Sequence, residues 1–183
     1  MSDAGDGGDG GDAGSDAGPA PRFARTFRVG WASLDPNAHV RNTAYLDLAV
    51  DARLAYFAEH GVPLADFQRL GVGPVARRDE LEYFRELHHG EAVTVTLVLT
   101  AASADGARFA LVNEVHRGEL AADAAGADTL AARVTTFGGW LSLATRRLTP
   151  PPAPLLAALR AMPRAAGFAE LPPLRPGAAS PGR

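Results

Sequence analysis

The longest helical pattern in the chain begins near Asn42 and stops at Gly61. Leu46, Ala49, Val50, Leu54 and Phe57 recur at helical spacing. Leu48, Ala52, Ala55 and Tyr56 carry the apolar surface round much of the remaining circumference. A helix with so little polar surface is expected to be buried on most sides. Asn42 is the expected N-cap, because its short side chain accepts from a backbone N–H in the first turn. Gly61 and Pro63 supply the stop, which predicts a helix over residues 43–60. Just upstream lies a polar loop, Asp35-Pro36-Asn37-Ala38-His39. Before that, Arg22 to Val29 reads as a strand with Phe23, Arg25, Phe27 and Val29 on one face.

Past the helix, Val62 to Leu70 suits one or two short helical turns, and Gly71 to Pro74 suits a turn. The period then changes to two. Val75 to Phe84 reads as a polar strand, with Arg77 and Arg78 on opposite faces. Ala92 to Thr100 is the clearest strand, with Val93, Val95, Leu97 and Leu99 alternating against mostly threonine. Arg108 to Arg117 and Thr129 to Phe137 follow, separated by an Ala/Asp/Gly-rich connection. Gly138-Gly139 predicts a bulge or tight bend before Trp140 resumes the ladder. Leu155 to Met162 fits a short helix. One apolar helix laid on a run of antiparallel strands is an α+β design, since each buries the other's apolar face.

Composition changes this picture mainly at the ends. The first twenty residues hold seven Gly and five Asp with no aromatic or β-branched residue. Such a segment cannot offset its ordering entropy, so 1–20 is expected to be a disordered tail. Residues 21–162 then form one domain, and the Pro/Gly-rich 163–183 are expected to be flexible. Removing the five tail aspartates takes the formal charge from −3 to +2. Every non-histidine base is Arg, and no arginine cluster alternates with stacking aromatics, so nucleic acid is not an expected partner. There is no cysteine, which removes disulfides, thiolate metal sites and cysteine nucleophiles. No apolar stretch reaches membrane-spanning length and the amino terminus lacks a signal-peptide core, so a cytoplasmic protein without membrane attachment is expected.

The loop and helix start carry the candidate chemistry. An orphan N–H group and the positive dipole end of a helix can polarise a carbonyl, and a carboxylate just upstream can serve as base or nucleophile. Asp35, His39-Val40, Asn42 and Ala44-Tyr45-Leu46 together resemble the matching region of hotdog-fold acyl-CoA thioesterases of the 4-hydroxybenzoyl-CoA thioesterase type. The resemblance covers roughly residues 22–162 and includes the polar strand around Arg77 and Arg78. It implies a curved antiparallel sheet wrapped around a central helix, and a homodimer or homotetramer. It also implies hydrolysis of acyl-CoA thioesters, or of acyl-carrier-protein thioesters, with the acyl group unspecified.

Carried over by position, the resemblance makes Asp35 the catalytic carboxylate, as nucleophile or as base toward water. The backbone N–H of Asn42 becomes the donor to the thioester oxygen. His39 stands as a loop histidine that can bond backbone or orient water, where the family often has Gly-His-Val; here Ala38 replaces the glycine. Asn37 is expected to close an Asx-turn and Arg41 to face solvent. Asp47, on the helix, is a reserve carboxylate because another hotdog class keeps its carboxylate there. Arg77 or Arg78 can meet a CoA phosphate or pair with Asp79 and Glu80. His88-His89 has no evident third ligand, so no metal and no cofactor are expected. Two other classes stay open: a hotdog enoyl-CoA hydratase or dehydratase, and a noncatalytic acyl-CoA-binding protein.

Overall fold

A computed structural model describes residues 22–120 and 126–174. The proposed tail of residues 1–20, part of the connection before Thr129, and the last residues of 163–183 lie outside the described residues. Strand β1 spans Phe23–Arg28 and helix α1 spans Asn42–Glu59. A short helix α2, Leu64–Arg69, leads into β2, Val72–Tyr83. Then come β3, Ala92–Ser103, β4, Arg108–Arg117, and β5, Leu130–Ser142. Helix α3, Ala153–Ala161, and strand β6, Arg164–Leu171, close the described chain.

The main sheet is antiparallel in the order β1-β3-β4-β5-β2, and α1 lies against β1, β3, β4 and β5. This is the α+β arrangement expected from the order of elements. It also explains the alternation in β3: Val93, Val95, Leu97 and Leu99 are all buried against the core. One apolar cluster gathers Tyr56, Phe57, Phe67, Phe109, Trp140 and Leu155. Phe57 and Phe109 meet Trp140 edge-on, each at 5.5 Å between ring centroids. The second cluster holds Tyr45, Leu87, Val93, Val95 and Val115, and it underlies the start of α1.

Several expectations change. The helix is not buried on most sides: Tyr45, Ala49, Ala52 and Tyr56 form the inward stripe, Leu46 and Leu54 are half-buried, and Val50 is 41% exposed. Small alanines at the contact let the sheet approach one face closely, which leaves the opposite face, with Asp47 and Asp51, outside.

The bulge lies in β2, not at the glycines of β5. Ala76 pairs with Gly138 and Arg78 with Phe137, so Arg77 is the extra residue. A Cβ on Gly138 would come within 2.5 Å of the Val75 carbonyl oxygen, and one on Gly139 within 2.5 Å of that of Ala107. These glycines admit the neighbouring backbones, and β5 runs through them unbroken.

The flexible C-terminal expectation is also corrected in part. Arg164–Leu171 pairs in parallel with the second half of β3, beyond the stretch that β1 covers. Its backbone groups find partners on an edge that would otherwise be open.

Candidate functional site

The loop that carries Asp35 is closed by its own backbone. Leu34 and Val40 form an isolated antiparallel bridge. The Asp35 N–H donates to the His39 carbonyl at 2.8 Å, and the Ala38 N–H donates to the Asp35 carbonyl at 3.1 Å. Inside this turn Asp35 Oδ1 accepts the N–H groups of Asn37 at 2.8 Å and His39 at 3.1 Å. The Asx-turn expected of Asn37 is therefore made by Asp35, with Asn37 as donor. Ala38 adopts φ 64°, the left-handed conformation that glycine takes without cost.

These bonds set the charge of Asp35. Partial burial pushes its pKa up, but the N–H groups of His39 and Asn37 and the nearby His39 ring outweigh it, and the net shift is down. The carboxylate is ionised at neutral pH, with one oxygen engaged by the loop.

Helix α1 begins beside this loop. Arg41, not Asn42, occupies the N-cap position, and it makes no side-chain cap bond. Asn42 is the first helical residue, and its Oδ1 accepts the Thr43 N–H at 2.9 Å. That position leaves the Asn42 N–H without an intrahelical acceptor. Arg41 does more than face solvent. It donates to Thr43 Oγ1 at 2.9 Å, to the Ala32 carbonyl at 2.8 Å and to Asp47 Oδ2 at 2.9 Å. The reserve carboxylate Asp47 is thereby held in an exposed ion pair on the outer face of the helix.

Asp35, His39 and Asn42 line one cleft of about 370 Å³, with Tyr83 and Glu86 on its other wall. The Tyr83 hydroxyl donates to the Asn42 carbonyl at 3.1 Å. The Tyr45 ring meets Tyr83 edge-on at 5.4 Å, and burial, the leading cause, raises the pKa of the Tyr45 hydroxyl. His39 Nε2 stands 3.4 Å from Glu86 Oε2. The cleft thus joins an ionised carboxylate to a helix start beside an aromatic wall.

Arg77 and Arg78 are not in this cleft. They line a separate groove of about 410 Å³ with Arg108, Phe109 and Phe137. The bulge at Arg77 is the reason both reach it, although strict alternation predicts opposite faces. Arg78 lies 4.2 Å above the Phe137 ring and 3.3 Å from Glu80. Arg108 donates to the Pro172 carbonyl, while its buried Nε finds no partner among the described residues. Arg78 and Tyr83 are five positions apart along β2, about 17 Å at strand rise.

Tyr83, Glu86 and Arg108 join these sites without a local sequence signal. Each acts through a contact distant along the chain. Arg53 is a fourth such residue: from within α1 it donates to Asn113 Oδ1 at 2.8 Å and Thr136 Oγ1 at 2.7 Å. Burial lowers its pKa to about 10, against the pull of Asp79, so it remains a cation at neutral pH. Among the described residues no helix is long and apolar enough to cross a membrane.

The fold has close counterparts among solved structures. The 1,4-dihydroxy-2-naphthoyl-CoA thioesterase Slr0204 of Synechocystis superposes with a TM-score of 0.64 at 23% identity, covering 76% of this chain and 96% of that one. The protein SAV2348 of Staphylococcus aureus, solved in complex with CoA, gives 0.63 at 21% identity, with 82% and 92% covered. A DHNA-CoA thioesterase of Staphylococcus aureus gives 0.60 at 18% identity, with 70% and 80% covered. No curated protein sequence gives a significant match. The profile of the thioesterase-like superfamily matches residues 29–159, from just after β1 into the last turn of α3. With its antiparallel sheet packed on one central helix, the chain belongs to the thioesterase-like superfamily and has a hotdog fold.

Proposed function

We propose that this protein hydrolyses acyl-CoA thioesters to the free acid and CoA, with Asp35 as the working carboxylate. The supporting observation is the placement of an ionised Asp35 and of Asn42, the first residue of α1, on one cleft. Attack on a thioester places negative charge on the carbonyl oxygen, which a fixed donor about 3 Å away stabilises. The Asn42 N–H, at the positive end of the helix dipole, supplies that donor.

In the reaction, Asp35 takes a proton from water as the water oxygen bonds to the carbonyl carbon. The tetrahedral intermediate collapses, the C–S bond breaks, and the proton passes to the departing thiolate. Direct attack by the free Asp35 oxygen reaches the same products through a mixed anhydride that water then opens. The His39 main chain fixes the carboxylate during either course, and its ring, beside Glu86, orients water. Arg77 and Arg78, with Arg108, take the CoA phosphates. An extended pantetheine arm can bridge their groove and the Tyr83 wall, or the groove can serve a second protomer's cleft. The exposed apolar face of α1 and the edge of β2, open among the described residues, suit a homodimer, or two dimers joined as a homotetramer. The arginine groove suits the phosphates of CoA, and the pantetheine phosphate of an acyl-carrier-protein thioester is the alternative occupant.

The test is direct. The protein has no cysteine, so thiol released from acyl-CoA is read without protein background. The full chain should release CoA from aromatic or aliphatic thioesters, and Asp35→Asn should lower kcat at least about 100-fold with circular dichroism unchanged. Near-normal turnover by the variant would overturn the mechanism. Absence of thioesterase activity, with hydration of enoyl-CoA instead, would overturn the reaction.

A further inference from the structure

Beside the cleft, three groups of metal-binding type converge. Nε2 or Nδ1 of His39 and His88 and a carboxylate oxygen of Glu86 lie within 4.8 Å of one another. His89, which adjoins His88 in sequence, is not part of the cluster. Glu86, two residues before His88, lies on the same segment, and the fold supplies His39 from elsewhere. We propose that His39, Glu86 and His88 form a binding site for a borderline divalent cation of the zinc type.

Backbone structure holds the three together. His39 and His88 face each other as an isolated antiparallel bridge, which the Val40 N–H reinforces by donating to the Leu87 carbonyl at 2.8 Å. Leu87 is fully buried, so its neighbours Glu86 and His88 turn to the opposite side of the extended segment. The imidazole rings sit 5.1 Å apart between centroids and 72° from parallel, which lets both nitrogens aim at one point without stacking. Glu86 Oε2 is already 3.4 Å from His39 Nε2, close to the separation of two ligand atoms that share one ion. The main-chain N–H groups of His39 and His88 are anchored on Asp35 Oδ1 and Glu91 Oε2. Arg117 is turned toward the Glu86 carbonyl and the Glu91 carboxylate, so its charge is directed at those oxygens.

The donor set selects the ion. Two imidazoles and one carboxylate, with no thiolate, suit Zn²⁺, Co²⁺ or Ni²⁺ and do not suit the all-oxygen shells of Mg²⁺ or Ca²⁺. His88 and Glu86 are exposed, so their side chains are free to rotate as the 4.8 Å spread closes to ligand bonds of about 2 Å. Three protein ligands leave a coordination position open. Because His39 and Glu86 also line the Asp35 cleft, that position is at the wall of the candidate active site. Binding of the cation does not depend on the thioesterase reading.

The experiment titrates the tag-free, metal-stripped full chain with Zn²⁺ in a calorimeter, and with Co²⁺ while recording its visible absorption. One saturable Zn²⁺ site per chain is expected. His88→Gln should weaken it by roughly tenfold or more and abolish the Co²⁺ spectrum, while His89→Gln should leave both unchanged. Thermal midpoints of both variants check the fold. Equal Zn²⁺ affinity in His88→Gln and His89→Gln, or no saturable binding by the wild-type chain below millimolar Zn²⁺, would overturn the site. The wild-type chain is assayed on acyl-CoA alongside: saturable Zn²⁺ binding by a chain without thioesterase activity supports this site and overturns only the catalytic reading.

Discussion

Tyr83, at the end of β2, donates its hydroxyl hydrogen to the main-chain carbonyl of Asn42, 41 residues away, at 3.1 Å. The bond joins the sheet to the residue whose N–H is proposed to meet the substrate oxygen. Tyr83 is half exposed, so the loss in stability on removing its hydroxyl is small, about 0.5–1.5 kcal/mol. Tyr83→Phe should nevertheless lower kcat several-fold with little change in KM, because the helix start loses its tether to the cleft wall. Steady-state kinetics beside a urea titration check both halves. A variant with reduced stability and unchanged kcat would make the bond purely structural.

Ala38 holds φ 64° in the Asp35 loop. An L side chain there costs about 1–2 kcal/mol, of which glycine's looser unfolded chain offsets part. Ala38→Gly should therefore raise stability by about 0.5–1 kcal/mol, read as a higher urea midpoint at constant slope. Strain of this kind is tolerated where surrounding structure over-determines it. Here the over-determination is visible in the Asp35 main-chain and side-chain bonds that surround Ala38. No change in midpoint would show that the loop adopts another conformation.

Asp47 offers a control for the proposed chemistry. Its carboxylate is exposed and paired with Arg41, and an exposed pair of this kind contributes about 0–1 kcal/mol. Asp47→Asn should keep most thioesterase turnover, in contrast to Asp35→Asn. Loss of turnover in Asp47→Asn alone would move the working carboxylate onto the helix.

What could be read along the chain divides by the range of the interactions. The α1 pattern and the strict alternation of β3 are local, so their periods predicted both elements to within a few residues. The Asp35 turn is local as well, because its bonds reach only to Asn37 and His39. The inward stripe of α1 was less legible. Ala49 and Ala52 bury fully because the sheet approaches them, whereas the larger Val50 stays out. Strand β6 has no clear alternation, and its partner on β3 lies about 65 residues back along the chain. Glu86 meets His39, and Tyr83 meets Asn42, only after the sheet has folded over the helix start. Arg77 and Arg78 share a groove through a one-residue bulge that depends on Gly138 in another strand. No period in β2 encodes it.

The exposed apolar surface of α1 points to assembly. Val50 is 41% exposed and lies among half-buried Leu46 and Leu54, while β2 has a sheet neighbour on one side only, among the described residues. An apolar helix face and an open edge strand together are costly for a lone chain. The wild-type chain should sediment as a dimer or tetramer at micromolar concentration, and Val50→Asp should shift it toward monomer. A stable wild-type monomer would remove the two-protomer site from the functional reading.

Glu114 lends itself to a pH test because its partners are known. His116 Nε2 stands 3.5 Å from Glu114 Oε2, Arg133 Nη2 lies 2.9 Å from Oε1, and Arg22 Nη1 lies 3.5 Å from Oε2. Proximity to His116 is the leading cause of the shift and Arg133 adds to it, while burial opposes both; the net effect takes the Glu114 pKa from 4.5 to about 2. A carboxylate whose folded pKa is depressed stabilises the fold above its unfolded pKa. That contribution is lost as the pH falls toward the folded value. For Glu114 the window runs from 4.5 down to about 2, and the full contribution is on the order of 2–3 kcal/mol. Glu114→Gln should be less stable than wild type by about that amount at pH 7. The gap should narrow below pH 4.5 as the wild-type carboxylate becomes protonated. Urea unfolding of both proteins at pH 7, 5, 4 and 3 isolates the effect, since other carboxylates titrate alike in each. A gap that stays constant across this range would assign the loss to packing and remove the charge on Glu114 as its source.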